Sequence, residues 1–502
     1  MSAHLDRRRL LLTGTGIVTT AALTTFEPAA AGSVVTKRFK GHFSPTDRED
    51  WRYLPFRVPK GVRQIEVSYS YPPPSDTGLG FSTNVIDIGI FDSSGIGPGN
   101  ASGFRGWSGG ARSSFTISRG SATPGYVPGP ITPGTWRIVL GPYQILRRTD
   151  YEVTVTLRFG PRGAAFHPTP APSAVAGTGQ GWYRGDLHVH TVHSDGSQTQ
   201  REVLTRAQAA GLDFIGTAEH NTSTAQLTWG RYVPEGFLVI SGEEVTTRAG
   251  HWLATGIPPG TWIDWRYRPE DERLAGFTRR VRDLGGLSVA AHPAIPVSSI
   301  RWDFDAHFAE VDAIEVWNGP WSGMNATFNA KAVQRWHDLL SAGTFKPAVG
   351  NSDSHNASQQ IGLAQNVVRA ESLSTAAVVA GLRGGHSWVA ESSAIHLEFT
   401  ASLGDVSGEC GDRVPSSEGD DVEVSLRVSG ADGCVATLLG PGLETYADQT
   451  ADEAGLITLD TTVPGGVAFV RAEVRRGSLP SSPMVALTNP IFLTAAPVIV
   501  EG

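Results

Sequence analysis

Residues 185–197 read GDLHVHTVHSDGS, which places three histidines and two aspartates within ten consecutive positions. If LHVH closes a strand, His188 and His190 are two apart and point to the same face. Asp195 then follows a short turn later and can fold back over the strand end. One such cluster is weak evidence by itself; its weight comes from what surrounds it.

Around this stretch, from about residue 181 to 392, apolar runs alternate with helical periodicity. QTQREVLTRAQAAG (198–211) predicts a helix stopped by Gly211, followed by the buried strand LDFIGTAEH. The alternation recurs with DERLAGFTRRVRDLGG before LSVAAHP, NATFNAKAVQRWHDLLSAG before KPAVGNSDSH, and STAAVVAGLRGG before HSWVAES. Such βα alternation predicts a mainly parallel sheet with helices outside it. About 210 residues of it fit a closed α/β barrel better than a small open sheet.

The ends of these predicted strands carry the chemistry. LDFIGTAEH ends in Glu219 and His220, and FLVISGEEVTT carries Glu243 and Glu244 with His251 seven positions beyond Glu244. LSVAAHP ends in His292, and PAVGNSDSH in Asp353 and His355. Six of the 14 histidines therefore lie at or just beyond strand ends, which converge on one face of a parallel barrel. Imidazoles and carboxylates in this number exceed what one four-coordinate zinc needs. They suffice for about two or three divalent ions, zinc, manganese or iron, with a carboxylate bridging. Clustered ions of this kind support hydrolysis by a metal-bound hydroxide, above all of a phosphate ester.

The ordered motifs DLHVHTVHSDG, TAEHN, GEEVT, AAHP and SDSH resemble the PHP (polymerase and histidinol phosphatase) family over about residues 181–392. The resemblance implies a distorted seven-stranded β/α barrel, two or three metals and phosphoesterase activity. Carried over by motif, His188 and His190 would hold one metal, Asp195 and His220 a second, and Glu244 would bridge. His251 and His292 would complete a third position, with Asp353 and His355 closing the site. Asp353, His355, His220 and His193 are the residues expected to serve catalysis. EVWNG (315–319) and the extra domains look closer to the branch of predicted hydrolases that includes carbamate- and ester-cleaving members. The family usually has Thr-Asp-His where this chain has Ala218–Glu219–His220, which leaves Glu219 as either a ligand or a support for one.

Other residues of this region carry competing readings. His193 lies off the face of His188 and His190 and is read as a pocket residue that meets substrate or transfers a proton. Asp186 shares their face and either orients a ligand or caps the strand. Glu243 alternates away from the site. Trp317 and Asn318 are expected at the pocket mouth. Arg266 and Arg268 could clamp a phosphate, but an exposed loop with solvated charges is the expectation. Ser194 and Ser352 are poor nucleophile candidates. His42, His167, His337, His386 and His396 are read as structural.

The flanking sequence is β-textured. Across 36–160, RQIEVSYSY, NVIDIGIFD, TWRIVLG and DYEVTVTLRF alternate apolar and polar residues between Gly/Pro/Ser clusters, predicting an N-terminal β-sandwich. Residues 161–180, rich in Pro, Ala and Gly, read as a linker or a segment draped over a surface. Residues 393–502 hold six strand candidates and predict a C-terminal β-sandwich. Five segments result in all: 1–31, 36–160, 161–180, 181–392 and 393–502. A chain of 502 residues with 59 Gly and 32 Pro suits such a multidomain, turn-rich build.

Residues 1–31 begin with Arg7–Arg8–Arg9, continue through a mildly apolar Thr-rich run and end at Ala29–Ala30–Ala31. That is the pattern of a twin-arginine-type signal, so export by that machinery to the envelope or exterior is expected, with no stable transmembrane segment. A net charge of −8 with no basic stripe argues against nucleic acid as partner. The expected substrate is a small-molecule or polymer ester. A carboxyl or carbamate ester, or an amide, is an alternative at the same site. A different reading makes the sandwiches a polysaccharide-binding device, with Trp51, Tyr53, Trp107 and Trp136 as a sugar platform. Cys410 and Cys434 lie far from the motifs, and a disulfide between them stays open.

Overall fold

The computed structural model describes residues 32–47, 50–72, 84–297, 299–479 and 481–494. The signal expected at 1–31 lies outside the described residues. No helix among those described is long and apolar enough to cross a membrane.

Eight strands form two four-stranded antiparallel sheets. One runs in the order β1 (Val34–Phe43), β8 (Thr149–Phe159), β3 (Val62–Ser70), β6 (Ser114–Ser118). The other runs β2 (Arg52–Val58), β7 (Gly134–Gln144), β4 (Val85–Phe91), β5 (Phe104–Gly109). Alternation puts Val67, Phe115, Val153 and Val155 of the first against Phe56, Ile88, Trp136 and Ile138 of the second, in one buried core. The outer face of the second sheet is also covered. Phe104 stacks on Trp262 at 4.3 Å and Trp107 lies 4.6 Å from Trp265, both tryptophans belonging to the segment after β13 (Gly250–Thr255). Of the four aromatics expected as a sugar platform, Trp136, 0% exposed, and Trp107, 3% exposed, are not presented on an outer surface, while Trp51 and Tyr53 are half-buried. Residues 161–180 are draped along the central region, with Val175 N–H donating to Leu373 O and Thr375 N–H to Ser173 O.

The central region departs from a mainly parallel arrangement. Its strands fall in two mixed sheets. One contains β11 (Leu238–Ile240), β10 (Phe214–Thr217), β9 (Gly181–Val189), β17 (Gln365–Ala370) and β18 (Ser387–Ala390). The other contains β12 (Gly242–Thr247), β13, β14 (Leu287–Ala291), β15 (Ala313–Asn318) and β16 (Ala348–Asn351). Single bridges join the sheets at Val189 with Ser354 and at His220 with Glu244. β12, β13 and β14 pair antiparallel, whereas β9–β10–β11 and β14–β15–β16 are parallel. The cause is local. Thr247 pairs with Gly250 across the two residues Arg248–Ala249, a connection far too short for a parallel crossover. Gly250 takes φ +121, a conformation glycine adopts freely, and Thr247 Oγ1 donates to its carbonyl.

Among the described residues, α-helices α1 (Gln200–Ala209), α2 (Leu274–Asp283), α3 (Gly323–Ser341) and α4 (Thr375–Arg383) occupy the periodic segments. Thr199 caps α1 in a reciprocal box with Glu202.

The remaining strands also form two layers, but one is continuous with the central sheet. β19 (His396–Leu403), β20 (Val406–Gly408), β21 (Asp421–Ser429) and β24 (Ile457–Pro464) make a separate sheet. β22 (Val435–Leu439), β23 (Thr445–Thr450), β25 (Phe469–Arg475) and β26 (Met484–Thr488) extend the first central sheet, because β26 pairs with β18, Trp388 opposite Thr488. Trp388 and Ala390 accordingly share a core with Leu426, Val470 and Val485. Cys410 and Cys434 are buried and free, so they form no disulfide.

Candidate metal centre

β9 turns wholly buried from Gly185 onward, which carries His188 and His190 into the interior at its end. Asp186, on the same strand, accepts the backbone N–H groups of His188 (3.1 Å), Ser352 (3.2 Å) and Gly362 (2.9 Å). It touches neither imidazole; it ties the strand end to the chain beyond β16. Burial pushes its carboxyl up to about 6, against the pull of those hydrogen bonds.

Glu244 is the hub. Its Oε2 lies 3.2 Å from His188 Nε2, 3.4 Å from His190 Nε2 and 3.0 Å from His220 Nδ1. Its Oε1 lies 2.8 Å from His251 Nδ1 and 3.1 Å from His292 Nε2. The hairpin of β12 and β13 brings Glu244 and His251 together, and β14 delivers His292. Asp353 Oδ1 lies 3.1 Å from His190 Nε2, 3.3 Å from His188 Nε2 and 3.4 Å from His355 Nδ1. Asp195 closes the outer edge, 3.5 Å from His220 Nε2 and 3.4 Å from His355 Nε2. His292 and Asp353 hold left-handed backbone at φ 31 and φ 51, strain that a fixed surrounding must sustain.

All nine residues expected as ligands thus meet in one cluster. Their atoms form four overlapping groups, each within 4.8 Å: His190, Asp195, His220 and His355; His188, His190 and Glu244; His188, His292 and Asp353; His220, Glu244 and His251. The donor set fits divalent cations. His188 Nε2, His190 Nδ1, Glu244 Oε2, His251 Nε2 and His292 Nδ1 are buried without a hydrogen bond, a cost that a coordinated ion removes. Charge points the same way. Burial opposes ionisation of His188, but Asp353, Glu315 and Glu244 outweigh it and hold the ring well above its ordinary pKa. Burial likewise raises Glu244, and the imidazoles of His220, His188 and His251 outweigh it and hold it well below. His190 is pushed down to about 3 by burial and by His355 and His220. Such carboxylate-bound imidazoles yield their protons to a metal.

Sequence reasoning missed Glu315. It is 1% exposed, with Oε1 3.0 Å from His188 Nδ1 and 2.8 Å from Asn351 Nδ2. Its Oε2 accepts His292 N–H at 2.7 Å and Asn318 Nδ2 at 3.1 Å. By holding the far nitrogen of His188 it leaves Nε2 turned to the cluster. The available signal was a lone carboxylate inside the apolar run AIEVW.

Glu219 is outside the ligand groups. It accepts from Thr191 N–H at 3.1 Å, from the Thr191 hydroxyl, and from Ser194 Oγ at 2.5 Å, so it braces the loop between His190 and Asp195. Burial pushes its carboxyl up to about 7.

Several expectations change. His193 stands off the cluster, its Nδ1 2.9 Å from Thr224 Oγ1 and its pKa pushed down to about 4 by burial and Arg112. It lies in the turn beyond β9, close enough to Arg112 of the N-terminal sandwich to feel its charge, and does not line the cavity. Trp317 is fully buried beside Trp321 instead of at the mouth, while Asn318 reaches Asp353 Oδ2 at 3.2 Å. Arg266 is not solvated: it pairs with Asp264 at 2.8 Å and donates to Tyr53 Oη at 2.8 Å, while Arg268 pairs with Asp50. Both arginines tie the central region to the N-terminal sandwich and are spent on that contact. Glu243 accepts Ile263 N–H and stays out of the cluster.

No family model matches the chain. Over 110 residues it is 39% identical to a phosphoribosyl 1,2-cyclic phosphate 1,2-diphosphodiesterase of Eggerthella lenta, covering 20% of this chain and 39% of that protein. The chain therefore spans about two fifths of that relative's length. A two-domain protein of Bacteroides vulgatus containing a predicted PHP-like metal-dependent phosphoesterase is 17% identical, covering 66% of this chain and 100% of that one at a TM-score of 0.35. The five motifs in their order, and the single cluster that they build, mark the central region of this chain as similar to the PHP metal-dependent phosphoesterases.

Proposed function

We propose that the chain is a metal-dependent phosphoesterase with about two or three divalent ions, and that it works outside the cytoplasm. The observation that carries the reading is the convergence of nine candidate ligands, Glu244 and eight other imidazoles and carboxylates, in four overlapping groups. His188, His190, His220, His251, His292 and His355 with Glu244, Asp195 and Asp353 would hold the ions. When bound, they would polarise the ester and acidify water at neutral pH.

The chain's own part is orientation and exclusion. Glu315 sets the tautomer of His188, Glu219 holds the loop that presents Asp195, and the antiparallel hairpin fixes the distance from Glu244 to His251. Asp195, with its side chain 45% exposed, and His355, at 26%, face the cavity and are placed to meet substrate. Similarity to a phosphodiesterase supports a phosphate ester over a carboxyl or carbamate ester. The Arg-Arg-Arg-Leu-Leu-Leu run at 7–12 supports export.

A substrate panel on the metal-loaded chain tests the reading. Phosphate mono- and diesters are cleaved well ahead of carboxyl and carbamate esters, and Asp353→Asn abolishes turnover while the fold is kept. Preference for carboxyl or carbamate esters, or full activity in Asp353→Asn, contradicts it.

A further inference from the structure

The cavity above the cluster, about 600 Å³, is walled on one side by the N-terminal sandwich. Besides His220, Asp195 and His355 it is lined by Asp87 of β4, Trp107 of β5 and Tyr143 of β7. Two opposite charges face it from the two sides of the interdomain seam. Asp87 is 7% exposed, and its nearest cation is Arg248 at the β12–β13 turn, with Nη2 3.8 Å from Oδ2. That separation is too long for a hydrogen bond. Arg248 Nη2 is buried and hydrogen-bonds to nothing among the described residues, while its guanidinium lies 4.9 Å from the Tyr143 ring centre. Asp87 lines the same cavity as His220 and Asp195.

The open pair contrasts with its neighbours. In the same seam Arg266 closes on Asp264 with two bonds of 2.9 and 2.8 Å. A pair kept only for cohesion would close likewise, because a buried charge without hydrogen bonds is costly. At Gly141 a Cβ would come within 3.1 Å of Arg248 Nη2 and 3.4 Å of the Asp87 Cβ, so a bare backbone admits both side chains. The pair as a whole is neutral and offers no net attraction to a cation or an anion. It offers an acceptor beside a donor, with Trp107 and Tyr143 as apolar walls. A hydroxyl group uses both at once.

We propose that Asp87 and Arg248 form a subsite for the alcohol portion of the ester, and that this portion bears hydroxyl groups, as in a polyol or sugar phosphate. This rests on the phosphoesterase reading above and adds that the N-terminal sandwich selects the substrate.

Two non-hydrolysable ligands differing only in hydroxyls test it: 2,3-dihydroxypropylphosphonate and propylphosphonate, titrated calorimetrically into the metal-loaded full chain. The dihydroxy ligand binds about tenfold tighter or better, the value of one or two hydrogen bonds. In Asp87→Ala the ratio falls to within about threefold, and Arg248→Gln lowers it too. A wild-type ratio near one, a ratio unchanged in both variants, or no binding of either phosphonate overturns the subsite. The wild-type ratio decides even if Asp87→Ala does not fold. Turnover of bis(4-nitrophenyl) phosphate is read separately: its absence contradicts the phosphoesterase reading and leaves the binding ratio to judge the subsite.

Discussion

Glu315 and His188 are joined at 3.0 Å between Oε1 and Nδ1, deep under the cluster, and the other oxygen of Glu315 accepts the backbone N–H of His292. One carboxylate thus positions two ligands from different strands. Its four contacts, His188 Nδ1, Asn351 Nδ2, His292 N–H and Asn318 Nδ2, all call on it as acceptor.

Glu315→Gln keeps the size and places an amide NH2 against donors. Metal affinity falls about 10- to 100-fold, as for other residues that orient ligands, while the circular dichroism spectrum is unchanged. Competition with a fluorescent chelator reads this. Unchanged affinity would show that His188 needs no such partner.

Glu219→Ala strips acceptors from Thr191 N–H and from the hydroxyls of Thr191 and Ser194. Chemical denaturation should show a loss of about 1–3 kcal/mol, with weaker metal retention because the loop bearing Asp195 loses its brace. If Glu219 were itself a ligand, metal loss would far exceed the loss of stability.

His337 on α3 is neutral by construction: Arg471 Nε donates to its Nδ1 at 3.0 Å, and its Nε2 donates to Pro441 O at 3.0 Å. Burial and Arg471 push its pKa down to about 4 from an ordinary 6.5. The unfolded chain therefore binds the extra proton first. Stability contributed here is full above about pH 6.5 and is lost as pH falls toward 4. Denaturation at pH 7.5 and pH 5 should cost the wild type about 1–2 kcal/mol more than His337→Gln. Equal losses would refute the assignment.

Much of the site was legible because ligand types recur at strand ends, a spacing that packing alone does not demand. His188 and His190 alternate to one face, and Asp353 and His355 lie just beyond the end of another strand. The four helices were legible from 3.6-residue periodicity. What escaped depends on contacts distant in sequence. Nothing local in FLVISGEEVTTRAGHW separates a short hairpin from the start of a βα unit, so the antiparallel β12–β13 pair was missed. Pairing of β26 with β18 is set by register across about a hundred residues, which hides that the C-terminal layer continues the central sheet. Glu315 reads as one charge in an apolar strand until His188 is seen beside it. Arg266 reads as a loop charge until Asp264 and Tyr53 surround it.

Metal content tests the central claim most directly. The chain from residue 32 is purified without chelators, reconstituted with zinc, manganese or iron, and its metals are counted by elemental analysis. About two or three ions per chain are expected, falling in Asp353→Asn. No bound metal after reconstitution, or a single ion unaffected by Asp353→Asn, would contradict a multi-metal centre organised around Glu244.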